Sequence, residues 1–315
     1  MFKQIANILT LKPFKVRNDD PFLHYTKKVG NKPFMLVVLG HQQIKYAKAQ
    51  FVRGRLNLGR AFTAYIEQFQ NSELDTAWVV EFLQEAGETK NIVLGLNLVF
   101  SNFKIYPAGS KFKDIEDTFV KNPAEEVGQT FDNLTRYFFS QVGDQVCLNG
   151  VEADRIAKAR DKFKKFGCKI VCTFHYPSAV LSKISDFQMK WNEPGVLVYY
   201  TQKLLFFMGW ISGDIVTVRS RLIAEQQRGA TGTRPMLNTL QREIDITSNL
   251  VVSKANGQPV NLYIYNDKQD ATLTGLEAMY KNAQIITWPQ DVFDTETRPY
   301  TEPDLAVVLE REAIV

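Results

Sequence analysis

Cys168, Cys172 and His175 fall within one short stretch, and two thiols with an imidazole are the first grouping in this sequence that could do chemistry. A structural zinc site takes four such ligands in a tetrahedron. The run from Lys169 to Tyr176, KIVCTFHY, reads as a buried strand, and one His and two Cys, on that strand and directly before it, offer no tetrahedral set. With Cys147 the cysteines number three, an odd count that reads as reduced core thiols, so no metal is expected. Asp114, Glu116 and Asp117 bring three carboxylates onto one charged helix, where a solvated face is the expectation. Lys45 and Lys203 stand at or beside tight turns, as phosphate ligands would, and also as solvated turn lysines would. No Ser-His-Asp, Cys-His or paired-carboxylate arrangement stands out elsewhere, and an enzyme is not expected.

The elements that carry these residues are clearest between Gly195 and Leu222, GVLVYYTQKLLFFMGWISGDIVTVRSRL. This reads as a strand over 196–200, a turn at Thr201-Gln202-Lys203, a strand over 204–211, a turn at Ser212-Gly213-Asp214, and a third strand. The middle strand is apolar on both parities of its alternation, so it belongs inside a sheet with both faces covered. An echo lies some 160 residues earlier: Phe34 to Leu39, polar Gly40 to Gln43, Ile44 to Phe51, then Arg53-Gly54 and Leu56 onward. Two copies of one strand-turn-strand-turn-strand unit imply a duplicated fold with a cleft between the halves.

The bulk numbers agree with a folded α/β protein. Of 315 residues 45% are hydrophobic and 23% charged, and the formal net charge is +4 from 38 basic and 34 acidic residues. No compact basic run stands out, which argues against nucleic acid as a partner. The longest apolar stretch, 196–211, is interrupted at Thr201-Gln202-Lys203, so no membrane span is expected. The opening residues lack the apolar length and cleavage site of a secretory signal, and a cytoplasmic location is the default.

Between the two units the pattern alternates. A helix is expected over 74–87, a strand over 91–100, a short strand ending at Tyr106-Pro107, a charged helix over 112–121, and strands over 130–140 and 145–148 with a turn at Asn149-Gly150. Glu152 to Phe166 has the cleanest helical spacing, with Ile156, Ala159, Phe163 and Phe166 on one face and Gly167 as the stop. A strand over 169–174 and a helix opened by Tyr176-Pro177-Ser178 follow, and Trp191 to Pro194 reads as a hinge. Beyond the second unit come a loop over 231–235, a helix over 236–250, a strand over 258–265, a helix over 271–281, a strand over 284–288, an acidic loop and a terminal helix over 302–313.

This order of elements resembles the actin-like superfamily, and more narrowly the PilM-type proteins of type IV pilus assembly and their type II secretion relatives. The segment NGVEADRIAKARDKFKKFGCKIVCTFHYPSAVLS is similar to that family's helix, glycine, strand and helix. Leu240-Gln241-Arg242-Glu243-Ile244 resembles its Arg-Ser-Leu helix, with Glu243 in place of the serine, and NLYIYNDKQDATLTGLEAMYKNAQIITWP resembles its adenosine-side strand and helix. The resemblance implies a duplicated actin-like (ribonuclease H-like) α/β fold: an N-terminal extension over 1–30, a first subdomain over 31–101 and 168–192, a small α/β insert over 102–167, and a second half over 193–315.

It also implies where nucleotide motifs would stand. The first hairpin keeps its glycine as Gly40 and its lysine as Lys45, but Val38 takes the acid position. The second has Tyr199 for the acid and Thr201 for the glycine, followed by Lys203, and the adenosine strand runs into Asn266-Asp267-Lys268 in place of a glycine pair. A tyrosine ring there occupies phosphate space, and a valine cannot hold a metal-bound water. The expectation is a non-catalytic scaffold with no cofactor and a vestigial cleft; the alternative is a divergent ATP-binding ATPase or switch using magnesium.

The partner implied by the resemblance is the cytoplasmic N-terminal tail of a single-span inner-membrane pilus assembly protein, held in a groove between the first subdomain and its insert. The sequence offers an aromatic strand for it, with Tyr137 and Phe139 on one face and Phe138 on the other. Arg136 could meet a carboxylate, and Phe103 and Ile105 are expected to extend the Tyr137 patch. Against this stands the ordinary reading of such strands, that both faces are packed internally.

Overall fold

The computed structural model describes residues 31–41, 43–52, 55–65, 77–99, 102–121, 135–142, 144–177, 181, 188–201, 204–222, 233–265, 279–280 and 282–286. The elements expected over 1–30, 271–278 and 287–315, the loop 122–134 and the Asn266-Asp267-Lys268 turn lie outside them.

The first unit forms as its alternation requires. β1 (Phe34–Leu39) pairs antiparallel with β2 (Gln43–Val52), which pairs in turn with β3 (Arg55–Leu58) and β4 (Phe62–Tyr65). Helix α1 (Ala77–Ala86) leads through Gly87, whose φ of 55° ends the helix, to β5 (Asn91–Leu96), parallel to β1. Three strands of a separate sheet follow: β6 (Asn102–Ile105), then α2 (Phe112–Lys121), β7 (Thr135–Val142) and β8 (Gln145–Glu152). Helix α3 (Ala153–Lys165) and β9 (Lys169–His175) return the chain to the first sheet, where β9 lies parallel to β5. The second unit is β10 (Gly195–Thr201), β11 (Leu204–Ile211) and β12 (Asp214–Leu222), then α4 (Thr233–Lys254), β13 (Asn261–Tyr265) and β14 (Ala283–Ile286).

Among the described residues the strand orders are β3-β2-β1-β5-β9, β12-β11-β10-β13-β14 and β6-β8-β7. The first two are one topology used twice: an antiparallel meander whose first strand is extended by two parallel strands. The second meander turns at Ser212 and Gly213, both at positive φ (51° and 89°), the conformation a two-residue hairpin loop needs. No helix among the described residues is long and apolar enough to cross a membrane.

Both faces of the central strands of each main sheet are buried. Met35, Val37, Leu39, Ile92, Leu94 and Leu96 pack with Trp78, Phe82, Ile156 and Phe163 of α1 and α3. Val196, Val198, Leu205, Phe207 and Ile264 pack with Leu240, Ile244 and Val251 of α4. The alternate residues form a third core that joins the two sheets: Phe34, Leu36, Val38 and Val93 with Leu197, Tyr199, Met208, Trp210 and Tyr263. Each such fully buried side chain contributes about 1.5–3 kcal/mol relative to exposure.

Four expectations are corrected. Asn149-Gly150 is no turn but the middle of β8, paired with Phe138 and Tyr137 across the ladder; Asn149 tolerates full burial because its amide donates to the Phe138 carbonyl at 3.2 Å. The segment 102–167 is divided by its packing, since α3 joins the core of the first sheet and only the part up to Glu152 forms the separate sheet. The loop placed at 231–235 gives way at Thr233, where α4 already begins.

Trp191 to Pro194 is fastened where a hinge was expected. The Trp191 ring lies on Trp210 at 4.7 Å, the Lys190 N–H donates to the Tyr263 hydroxyl at 3.0 Å, and the Asn261 N–H donates to the Pro194 carbonyl at 2.9 Å.

Candidate functional site

The cleft expected of the duplicated fold falls at the ends of β1 and β10. Val38 sits opposite Lys45 across the first hairpin, and Gly40 follows directly on β1. Tyr199 sits opposite Phe206 across the second. Val38 and Tyr199 are both 1% exposed and belong to the single core that joins the sheets. The Tyr199 ring stacks on Tyr265 at 4.3 Å and 10°, and its hydroxyl lies 3.5 Å from that of Tyr176. Thr201 ends β10 with its side chain outside the described set, as is that of Tyr200, and Lys203 lies outside the described residues altogether.

Backbone around this floor is laced by two histidines that sequence reasoning left without a role. The Asn97 N–H donates to the Leu39 carbonyl at 2.8 Å, the Val99 N–H donates to His41 Nε2 at 3.0 Å, and His175 Nε2 donates to the Leu98 carbonyl at 3.0 Å. Burial pushes both imidazoles down to about 4, with Arg155 adding to the effect at His41 and the Leu98 carbonyl partly opposing it at His175. Both rings are therefore neutral at pH 7 and act as hydrogen-bonding struts. The signal that could have found them was their place after two apolar strands of the same sheet.

These residues do not fit a magnesium-bound phosphate. Neither Val38 nor Tyr199 carries a carboxylate for the ion or its waters, and the Tyr199 ring is stacked on Tyr265 within the core. The hollow of about 430 Å³ lined by Glu193, Asn261 and Gln284 lies instead at the starts of β13 and β14, the far ends from Tyr199 and Tyr265.

Among the thiols, Cys147 and Cys168 are buried and burial raises both, Cys147 to about 12, so neither is poised as a nucleophile. Asp114 and Asp117 are solvent-exposed on α2, while the side chain of Glu116 is outside the described set.

The expected partner patch is not one surface. Register places Tyr137, Val146 and Leu148 on one face of the three-stranded sheet, and Phe103, Ile105, Phe138 and Cys147 on the other. Tyr137 is buried beneath α2, edge-on to Phe119 at 5.1 Å, so it is core and not docking surface. Phe103 and Ile105 pack against the core between the two main sheets. The error came from treating β6 as continuing the Tyr137 face, when its register with β8 sets Phe103 against Asn149 and Ile105 against Cys147. The side chains of Arg136 and Phe139 are outside the described set.

No family model and no curated protein matches the chain. The solved structure of a PilM–PilN type IV pilus biogenesis complex is similar to it, with a TM-score of 0.58 and 14% identity over 90% of this chain and 98% of that one. Weaker likenesses include a Bacteroides thetaiotaomicron protein of actin-like ATPase fold and unknown function, with a TM-score of 0.47 and 8% identity over 90% of this chain and 97% of that one. Another is the cytoplasmic domain of EpsL, an inner-membrane component of the type II secretion system of Vibrio cholerae, with a TM-score of 0.41 and 10% identity over 90% and 95%. From its duplicated sheet topology and this likeness, the chain has an actin-like fold, in the arrangement seen in the PilM–PilN complex.

Proposed function

We propose that this protein is a non-catalytic actin-like scaffold in the cytoplasmic base of a type IV pilus or a related secretion machine, holding the short cytoplasmic tail of a single-span inner-membrane protein. The observation that carries the reading is Tyr199: at a position where a nucleotide-binding relative would place an acid, its ring is stacked within a core shared by both sheets. A fold shared over 90% of the chain, with a buried aromatic stack in place of that acid, supports a role in holding partners, with no nucleotide needed.

The tail fits best at the seam between the first sheet and the three-stranded sheet, now that the Tyr137 face is known to be covered. Among the described residues β7 and β9 each pair on one side only, and Phe138 of β7 stacks on His175 at the end of β9, 5.8 Å between centroids. Two strand edges meeting at a half-buried aromatic suit an extended peptide.

The test is a titration with a fluorescent ATP analogue and magnesium, alongside pull-down with the tail of a membrane protein encoded nearby. Nucleotide binding tighter than about the millimolar scale would replace the scaffold by an ATP-dependent switch. Loss of tail capture in Phe138→Ser with an unchanged melting temperature locates the groove, and full capture by that variant moves it elsewhere.

A further inference from the structure

The outer edge of β12 carries a pair of arginines whose charge is only half answered. Arg219 Nη2 lies 2.8 Å from Glu243 Oε2, and Arg221 Nη1 bonds the other oxygen of the same carboxylate. Glu243 comes from α4 and is nearly fully buried, whereas Arg219 and Arg221 are 35% and 50% exposed. Two guanidiniums on one carboxylate leave a net positive charge, and Arg219 Nη1 is buried with no acceptor among the described residues. A buried donor without an acceptor is costly, so the cluster is one acceptor short.

That cluster lies on a strand whose outer edge pairs with no other strand among the described residues, since β12 pairs there with β11 alone. Its first residues are guarded: the Gln145 side-chain amide bonds both backbone groups of Ile215, and Lys254 Nζ donates to the Val216 carbonyl. Gln145 thus stands in for an added strand at Ile215, which shows that the edge offers strand-type hydrogen bonds outward. Further along, Arg221 is half exposed and Leu222 is 39% exposed beside it.

We propose that the Arg219–Leu222 edge of β12 receives an acidic strand of a partner protein, added beside β12 with a carboxylate set between Arg219 and Arg221. Cross-strand neighbours of opposite charge favour such a pairing, and a carboxylate can take two guanidinium N–H bonds at once. The exposed Leu222 then pairs with an apolar residue of the incoming strand. This site is separate from the seam at Phe138 and stands whether or not that seam holds a tail.

The test measures fluorescence anisotropy of a fluorescein-labelled eight-residue peptide of alternating Glu and Val, with a Lys-Val copy as control. The full chain binds the acidic peptide and not the basic one, Arg221→Gln weakens binding by about tenfold without lowering the melting temperature much, and raised salt weakens it further. An acidic copy N-methylated at alternate residues keeps its charge but cannot pair as a strand, and it should fail to bind. Equal binding of that copy overturns strand addition in favour of simple anion attraction. Absence of binding by the unmethylated acidic peptide up to millimolar concentration, or no effect of Arg221→Gln on its affinity, overturns the site and leaves the arginines as guards of an exposed edge.

Discussion

Gln145 and Ile215 make a two-way hydrogen bond in which a side-chain amide takes the place of a strand. The Ile215 N–H donates to Gln145 Oε1, and Gln145 Nε2 donates to the Ile215 carbonyl at 3.3 Å. Gln145 opens β8 and Ile215 lies near the start of β12, so the pair ties the three-stranded sheet to the second half of the duplicated fold. Both residues are buried, which makes the loss of either bond expensive. Gln145→Ala strands two backbone groups at once and should cost about 2–4 kcal/mol, read as a lower melting temperature. Gln145→Glu keeps the acceptor but buries a charge that cannot donate, and should cost at least as much at pH 7.

Glu243 is the second tie, and its partners set the size of its effect. Its carboxylate, on α4, faces Arg219 and Arg221 of β12. Removing one member of a buried ion pair costs about 3–5 kcal/mol, but both arginines reach solvent and can rehydrate. Glu243→Ala should therefore destabilise by about 2 kcal/mol, while Arg221→Ala, on the most exposed member, should cost under about 1 kcal/mol in denaturant unfolding.

What was legible in the sequence was set by periodicity. β1 and β11 came out with the bounds their apolar runs predicted, because a strand buried on both faces is apolar at every position. The duplication, and with it the fold, followed from repeating that signal. What misled was register, which is a property of two strands and not of one. Nothing within residues 102–105 says that Phe103 meets Asn149, so the face it shares could not be read. Asn149-Gly150 likewise carries a strong turn signal that the β8 ladder overrides by pairing it with β7 on one side and β6 on the other. Glu243 was read only as a departure from a family triplet; its burial depends on arginines more than twenty residues earlier. The histidine struts were missed for the same reason, since their partners are backbone atoms of Leu98 and Val99, in the segment that follows β5.

Acid should loosen the cleft before it unfolds anything else. His175 is fully buried and neutral, held by burial at about 4 against an ordinary value near 6.5. The unfolded chain binds a proton below about 6.5 and the folded chain does not until about 4, so the stability from this group is complete above 6.5 and drains away as pH falls towards 4. The full span is worth about 3 kcal/mol. His41 has the same sign, and protonating its Nε2 would also break the bond from Val99. Melting temperature should fall between pH 7 and pH 5, and His175→Gln should flatten that fall while lowering stability at pH 7. A variant with an undiminished acid slope would place the sensitivity elsewhere.

Gly195 should tolerate no side chain. A Cβ at this position would come 2.2 Å from the Trp210 ring, which is fully buried between Trp191 and Tyr263 and cannot swing aside. Gly195→Ala forces the indole or the β10 backbone to move, at a cost of about 1–3 kcal/mol. Since Trp210 is among the few tryptophans of the chain, the shift should also appear as a change in intrinsic fluorescence of the folded protein.

Tyr199 separates the ring's packing from its hydroxyl, and packing from nucleotide exclusion. Its hydroxyl stands 3.5 Å from that of Tyr176, the outer limit of a hydrogen bond, so Tyr199→Phe should cost about 1 kcal/mol or less. Its ring stacks on Tyr265 and lies within 6.0 Å of Phe206, so Tyr199→Ala opens a cavity in the core joining the two sheets and should cost about 3–5 kcal/mol. The same variant clears the space that a phosphate would need but supplies no carboxylate, and Val38 supplies none across the cleft. Calorimetric titration with ATP and magnesium should therefore show no gain in affinity for Tyr199→Ala, despite the room created. Micromolar binding by that variant would mean that the ring alone had kept nucleotide out, and that the remaining loops still hold a working phosphate site.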